Sequence, residues 1–243
     1  MPRPRSWPRI WAANAWIRWI SAAAPRTCSP ITRRWRWRWR PRAETSTPRD
    51  AHGKLGPIRP LPAPMLRSLP PPLLRDEPWA NGAGTTTVLA AWPDARDWRW
   101  RISIARIAAP CRFSAYPGAQ RQLAPLDGPL LLRFDGAPAR TLARLAVLRF
   151  AGTPPPRAEL PEGPTRAFNL MTRDCPATLL ARPLVGAMLL PAAPCWLLHQ
   201  LAGSAELRQD AHSLELRAGE SAELSGACRI GGHGELVLAR IEA

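Results

Sequence analysis

Long apolar segments are missing from this sequence. No run approaches the roughly 20 consecutive apolar residues that a membrane-spanning helix requires. Disulfide and zinc patterns are missing too, because the five cysteines are an odd number and form no Cys-x-x-Cys pair. Reduced thiols in a cytoplasmic protein are therefore the simplest expectation.

Motifs that signal catalysis, metal binding or cofactor binding are equally scarce. The four histidines show neither His-x-His nor His-Glu-x-x-His spacing, and no Gly-x-Ser-x-Gly nucleophile elbow occurs. Residues 82–87 are rich in glycine and threonine, but they lack the lysine of a phosphate-binding loop and lead into a run typical of a strand. We expect no metal site, no cofactor and no assignable catalytic residue.

Positive charge is abundant but unevenly distributed. The 243 residues carry a formal net charge of +16, of which +12 lies in residues 1–64 together with seven of the 12 tryptophans. A strongly basic protein usually binds nucleic acid. Residues 65–243 have a net charge of only +4, so we expect this larger part to bind neither nucleic acid nor membranes.

Residues 1–64 contain eleven prolines, alternating arginine and tryptophan at residues 34–40, and almost no aliphatic pattern. Three interpretations compete: a cationic arm for membranes or nucleic acid, a targeting segment, or a mis-assigned start with translation beginning at Met65. The third is favoured. The whole chain has 33 arginines and one lysine, which indicates a GC-rich coding sequence. A repeated GC-rich hexanucleotide translated by accident would encode the Trp-Arg repeat. In every case we expect a disordered leader, since it has too little apolar surface to offset its ordering entropy.

From residue 65 the sequence changes to short apolar or alternating runs separated by turn signals. A run at residues 130–134 ends in Asp135-Gly136, a typical hairpin signal. Many short strands at this spacing predict an all-β sandwich or barrel rather than βαβ units. Residues 152–164 are predicted to form a surface loop between two halves, about 65–160 and 161–243. Residues 179–190 are ambiguous, because proline and glycine interrupt any helix there.

Alternation at residues 98–105 predicts a strand with two different faces. Trp100, Ile102 and Ile104 share one face, and Arg101 and Ser103 share the other. If the polar face lined a barrel, it would present a guanidinium and a hydroxyl suited to a carboxylate. The spacing alone favours the alternative, a solvated face with arginine stems covering the tryptophan rings.

Four ordered motifs resemble those of the HutD/Ves family. Residues 78–85 (PWANGAGT), 100–105 (WRISIA), 113–123 (FSAYPGAQRQL) and 168–173 (FNLMTR) match its PW-NG-G-T, WR-SIA, FS-(F/Y)PG--R-L and FN-M-R segments. The resemblance runs from about residue 73 to residue 241. It implies an all-β fold of the cupin superfamily, with two jelly-roll-like barrels packed as a bicupin and no metal-binding histidine set. Family members are associated with histidine utilisation as small-molecule-responsive governors, and the Ves branch with environmental stress.

Residues at positions that match these motifs are also our candidates for a ligand site, because Arg101 lies on the polar face of its strand and the turn at residues 116–118 would let Arg121 converge with it. Arg101 and Arg121 would pair with carboxylates, Asn81 and Asn169 would orient polar groups, and aromatic side chains would wall the pocket. The complete set of expected ligand-binding residues is Asn81, Arg101, Ser103, Tyr116, Arg121, Asn169 and Arg173. Trp79 and Phe113 are either further walls or plain core residues. The chain departs from the family pattern at Ala167, where an aspartate is usual, and at Asp174, where an arginine is usual.

These observations lead to one functional hypothesis and one alternative. The hypothesis is a non-catalytic, cytoplasmic binding or regulatory protein for a small anionic metabolite of the urocanate or formylglutamate type. The alternative is a metal-independent cupin-like isomerase or hydrolase that acts on a small anion. It ranks second because a general base is required and only His199, His233 and scattered glutamates could supply one. A homodimer is left open.

Overall fold

The computed structural model describes residues 65–69, 72, 74–79 and 81–242. The expectations of a disordered leader and of a mis-assigned start fall on residues 1–64 and so lie outside this range. Within it, every regular element is a β-strand, and no helix is long and apolar enough to cross a membrane.

The described residues form sixteen strands. They are β1 Met65–Ser68, β2 Leu74–Pro78, β3 Gly84–Pro93, β4 Trp98–Ile107, β5 Cys111–Arg112, β6 Gln120–Pro125, β7 Leu130–Arg133, β8 Arg140–Leu142, β9 Leu148–Ala151, β10 Arg157–Glu159, β11 Thr165–Thr172, β12 Ala177–Leu190, β13 Cys195–Gln209, β14 His212–Arg217, β15 Ser221–Ser225 and β16 Cys228–Ile241.

The strands pair antiparallel in three sheets. The central sheet has the order β2-β3-β4-β11-β6-β9, and the small sheet has the order β5-β10-β7-β8. The long-stranded sheet has the order β1-β15-β13-β16-β12, with β14 paired to β13. The all-β prediction is therefore confirmed, whereas in the described residues no sheet closes on itself into a barrel.

The central sheet is buried on both faces. One face packs on the long-stranded sheet through a core that includes Ile102, Phe168 and Leu197, all essentially inaccessible to solvent. The other face packs on the small sheet through a second core that includes Leu123 and Leu132. The alternation is confirmed from Trp100 onward, because successive side chains of β4 enter these two different layers. Trp98 instead packs with Ala119 and Met171.

The long-stranded sheet has a third apolar core of its own. Its strands β13 and β16 approach closely at Gly203 (φ 76°) and Gly234 (φ 111°), where a Cβ at Gly234 would lie 1.9 Å from the carbonyl oxygen of Ala202. Only glycine allows two strands to approach this closely in such a conformation. The ambiguous residues 179–190 belong to β12, which pairs along its whole length with β16.

Two further predictions concern the connections. The hairpin at Asp135-Gly136 is confirmed, because β7 pairs antiparallel with β8 across it. The loop predicted at residues 152–164 is interrupted by a short strand, β10, whose Ala158 is fully buried between β5 and β7. Pairing on both sides gives this proline-rich stretch a strand that its composition does not favour.

Candidate functional site

A cavity of about 40 Å³ lies on the central sheet, where β3, β4, β11 and β6 meet Trp79 and the segment at residues 113–116. We call it the arginine cavity. It is lined by Trp79, Thr86, Arg101, Ser103, Ala105, Ile107, Phe113, Ser114, Tyr116, Arg121, Leu123, Asn169 and Met171. Five of the seven residues expected to bind ligand are in this lining.

Strand register explains why these residues meet. Arg101 on β4 and Arg121 on β6 both pair with Met171 on the intervening strand β11. Residues paired across adjacent antiparallel strands point to the same face, so both arginines face the small sheet. Their Cα atoms are two strand spacings apart, about 10 Å, which lets two long side chains converge.

The next row of the same sheet brings the polar residues together. Ser103 on β4 and Leu123 on β6 both pair with Asn169 on β11. Ser103 and Asn169 are 2% and 3% exposed. A hydroxyl and an amide are thereby buried beside the two guanidinium groups.

Arg121 is the most deeply buried cation of the site, with only 6% of its surface exposed. Its Nη2 donates to Asn169 Oδ1 at 2.9 Å and its Nη1 donates to the Ser114 carbonyl at 3.5 Å. Three rings surround its Cζ atom, those of Phe113 at 5.1 Å, Phe150 at 5.1 Å and Tyr116 at 5.6 Å. Such contacts favour a cation, but all of these partners are neutral side chains or backbone.

No carboxylate among the described residues neutralises this cation. The described residues that line the cavity include no aspartate or glutamate, and neither Arg101 nor Arg121 forms an ion pair within the described part of the chain. Burial, reinforced by the neighbouring Arg101 charge and opposed by Tyr116, lowers the pKa of Arg121 to about 10. The guanidinium is therefore still charged at neutral pH.

Both arginines also keep an unused donor. The Nε atoms of Arg101 and Arg121 are buried and have no hydrogen-bond partner among the described residues. A buried donor without an acceptor costs roughly 1–3 kcal/mol. An anion that reached both groups would supply the missing acceptors.

The aromatic walls are held by contacts of their own. Trp79 donates from Nε1 to Thr86 Oγ1 at 2.7 Å and meets Phe113 edge-on, with ring centroids 6.4 Å apart. Tyr116 is half-buried, and its ring lies 5.9 Å from that of Trp98. All three of these aromatic residues line the cavity. Their contact with a ligand stays a prediction.

Asn81 and Arg173 lie outside the lining. Asn81 is exposed, and its Oδ1 accepts from the backbone N–H of Ala83, which supports the turn between β2 and β3. Arg173 stacks on Trp98 with its Cζ 4.3 Å from the ring centroid, and its Nη1 donates to the Trp98 carbonyl at 3.4 Å. Their proposed contact with ligand remains a prediction.

The departures from the family pattern fall in different environments. Ala167 is fully buried in the core between the central and small sheets. Asp174 is exposed with φ 50°, and its carbonyl accepts from Arg99.

Sequence analysis did not indicate Phe150, which contacts Arg121, or six of the lining residues: Thr86, Ala105, Ile107, Ser114, Leu123 and Met171. Met171 could have been found, because it follows Asn169 at the strand period of two. Thr86 accepts the hydrogen bond of Trp79, and no sequence pattern indicated that it would line the cavity. Phe150 stacks on Arg121 from β9, and only the pairing of β9 with β6 brings it there.

The two histidines considered as general bases, His199 and His233, lie outside the lining of the arginine cavity. His199 is 4% exposed and lines a separate cavity on the opposite face of the central sheet. Its Nδ1 lies 2.9 Å from Ser221 Oγ, and burial, reinforced by the Arg166 charge, lowers its pKa to about 4. His233 is exposed. The described residues contain no cluster of three histidine, cysteine or acidic side chains able to hold a metal.

Comparisons with known proteins agree with the motif-based expectation. A family model described as HutD matches residues 73–237. Protein Ves of Cronobacter sakazakii is 43% identical over 97 residues, which are 39% of this chain and 54% of the Ves protein. Protein Ves of Citrobacter koseri is 41% identical over 98 residues, which are 39% and 51% of the two chains. The alignments thus span about half the length of these curated relatives.

Solved structures support the fold. A conserved protein of unknown function from Pseudomonas aeruginosa PAO1 has a TM-score of 0.66 and 25% identity, covering 74% of this chain and all of that one. HutD from Pseudomonas fluorescens SBW25 has a TM-score of 0.62 and 23% identity, covering 73% of this chain and 98% of that one. The fold of the described residues is therefore all-β and cupin-like.

Proposed function

The chain belongs to the HutD family, and we propose that it binds a small carboxylate metabolite in the arginine cavity as a non-catalytic, ligand-responsive protein. One observation carries this proposal. Two guanidinium groups enter one cavity without an acid among the described lining residues, and each keeps a buried Nε donor unused. Bidentate, charge-assisted bonds to a carboxylate would satisfy both features.

The size of the cavity narrows the ligand class. A volume of about 40 Å³ exceeds the ~10–15 Å³ that one water requires by only a few-fold. This space accepts one carboxylate group rather than a complete metabolite. Acids of the urocanate or formylglutamate type would place a carboxylate between the arginines and leave the remainder at the mouth.

A second candidate function is a metal-independent isomerase or hydrolase. The observation in its favour is that Ser103 and Tyr116 bring two hydroxyl groups into the same cavity as the arginines. It ranks below binding, because the described lining contains no histidine, aspartate or glutamate to act as general base. Unchanged NMR spectra of a bound acid during prolonged incubation support binding, and product signals support an enzyme.

The finer architecture and the location are also proposals. We propose a bicupin whose two halves are residues 65–160 and 161–243. Each half contributes one strand to the sheet of the other half: β1 pairs in the long-stranded sheet, and β11 pairs in the central sheet. We further propose a cytoplasmic location, because the four described cysteines are free thiols and reducing compartments favour free thiols.

A thermal-shift screen of the full chain tests the proposed function. Formate, acetate, urocanate and N-formylglutamate are compared with their uncharged amides as matched controls. An acid at about 100 times its dissociation constant adds ~2.7 kcal/mol of stability, which is readily measured. The proposal fails if no acid stabilises the protein, or if the amides stabilise it equally.

A further inference from the structure

Strand β12 lies at one end of the long-stranded sheet. It pairs with β16 on one side, and no strand of the described part of the chain pairs with its other side. Side chains of the central sheet cover the beginning of that edge. Gln122 Nε2 donates to the Ala177 carbonyl at 2.8 Å, and Gln122 Oε1 accepts from the Leu179 N–H at 2.9 Å. The backbone groups of odd-numbered residues therefore point away from β16.

The second part of this edge is uncovered. Register with β16 is continuous through β12, so the N–H and C=O groups of Val185, Ala187 and Leu189 point to the same open side. These groups have no partner in the described part of the chain. Pro183 also fits this side, because proline occurs in a strand where no ladder hydrogen bond is required.

The same stretch is unusually apolar for an edge. Val185 is 87% exposed and Leu189 is 71% exposed, whereas the paired positions on β16 are His233 and Arg229. No charged residue occurs between residues 183 and 191. Protein edges are normally protected against association by charge, by proline or by cover, and here prolines stand only at the two ends.

We propose that β12 pairs antiparallel with β12 of a second copy of this chain, about a two-fold axis at Ala187. In this register Val185 lies opposite Leu189 of the second copy, and Ala187 lies opposite itself. Both chains contribute the open N–H and C=O groups of all three residues. The result is an isologous interface, the commonest form in homodimers.

The sequence favours a second copy over an unrelated strand, because the edge is self-complementary. Pro183 and Pro191 stand four residues on either side of Ala187, so the two-fold register sets each proline opposite the other. Neither has an N–H to leave unpaired. The two large exposed side chains are also equidistant from Ala187, and each meets an apolar partner rather than a like charge.

Sedimentation of the full chain over a wide concentration range tests this interface. Wild type should form a dimer. Val185→Lys/Leu189→Lys sets lysine opposite lysine twice, and like charges directly opposite each other in an antiparallel pair are destabilising. The dimer dissociation constant should rise more than about a hundredfold.

Charge reversal within one variant tests the register. Val185→Lys/Leu189→Glu sets lysine opposite glutamate twice only if the axis passes through Ala187, so its dissociation constant should stay within about tenfold of wild type. Val147→Lys/Ala211→Lys adds two charges at exposed sites away from β12 and should leave the dimer unchanged. Circular dichroism confirms that each variant is folded.

Each failure has a defined meaning. A monomeric wild type overturns the interface, as does a dimer that tolerates the double lysine substitution. Loss of the dimer in both charge variants overturns the register. These outcomes do not depend on ligand, so the interface and the carboxylate site can fail separately.

Discussion

The two faces of the central sheet are built from alternate residues of the same strands, yet they bury different kinds of side chain. Toward the long-stranded sheet, Ile102 and Phe168 are fully buried among apolar side chains. On the opposite face, Arg101 and Arg121 line a cavity, and their Nε donors have no partner among the described residues. Both faces bury apolar area, but the second face also holds buried guanidinium charge, which the proposed ligand would neutralise.

A basic side chain is buried at each face, and burial acts on both in the same direction. It lowers the pKa of His199 to about 4 and that of Arg121 to about 10. His199 therefore becomes neutral at physiological pH, whereas Arg121 stays charged because its ordinary pKa is far higher. Residue choice, rather than depth of burial, decides which face retains charge.

The largest effect is expected on the apolar face. Phe168→Ala should lower the free energy of unfolding by about 3–5 kcal/mol, because a fully buried ring leaves a cavity. Urea denaturation measures this loss. Leu180→Ala, at a position 43% exposed, is the control and should change stability by less than about 1 kcal/mol. Equal losses in the two variants would contradict the burial argument.

A pH effect of up to about 3 kcal/mol is expected from His199. Its folded pKa is about 4 and its unfolded pKa is about 6.5, so between these values the unfolded chain binds more protons. Stability should therefore be full above pH 6.5 and should fall as the pH drops toward 4. Denaturation of wild type and His199→Gln at several pH values measures this slope. A variant with the same slope as wild type would refute the assignment to His199.

On the cavity face, Arg121→Gln should weaken carboxylate binding by about 1.5–3 kcal/mol, the usual range for a hydrogen bond to a charged group. Calorimetric titration with the best acid from the screen measures the affinity. Arg121→Lys keeps the charge but loses the planar fork, so it should recover only part of the binding. Full affinity in Arg121→Gln would exclude the cavity as the ligand site.

A smaller loss, about 1.5 kcal/mol, is expected for Arg101→Gln, because its half-buried guanidinium is partly screened by water. Arg106→Gln is the matched control, with the same change of charge on the same strand but an exposed side chain on the opposite face. The same titration compares the two variants. If they weaken binding equally, Arg101 acts through general charge and not through contact.

The sequence predicted part of the fold and some of the residues that line the arginine cavity. The alternation of residues 98–105 correctly separated Arg101 and Ser103 from Trp100 and Ile102. It favoured a solvated face for the polar pair, because alternation is the same whether the polar side meets water or a second sheet. The ordered family motifs, rather than spacing, indicated Arg121 and Asn169.

What the sequence determined by itself is local: the turn signals, the period of two, the scarcity of helix and the family motifs. Tertiary structure decided what depends on partners far along the chain. Pairing with β16 makes residues 177–190 a strand although Pro183 lies within them, and β11 aligns Arg101 with Arg121. The segment at residues 113–116, which follows β5, then covers the cavity that both guanidinium groups line. Register and enclosure arise from contacts between distant residues, so no local pattern contains them.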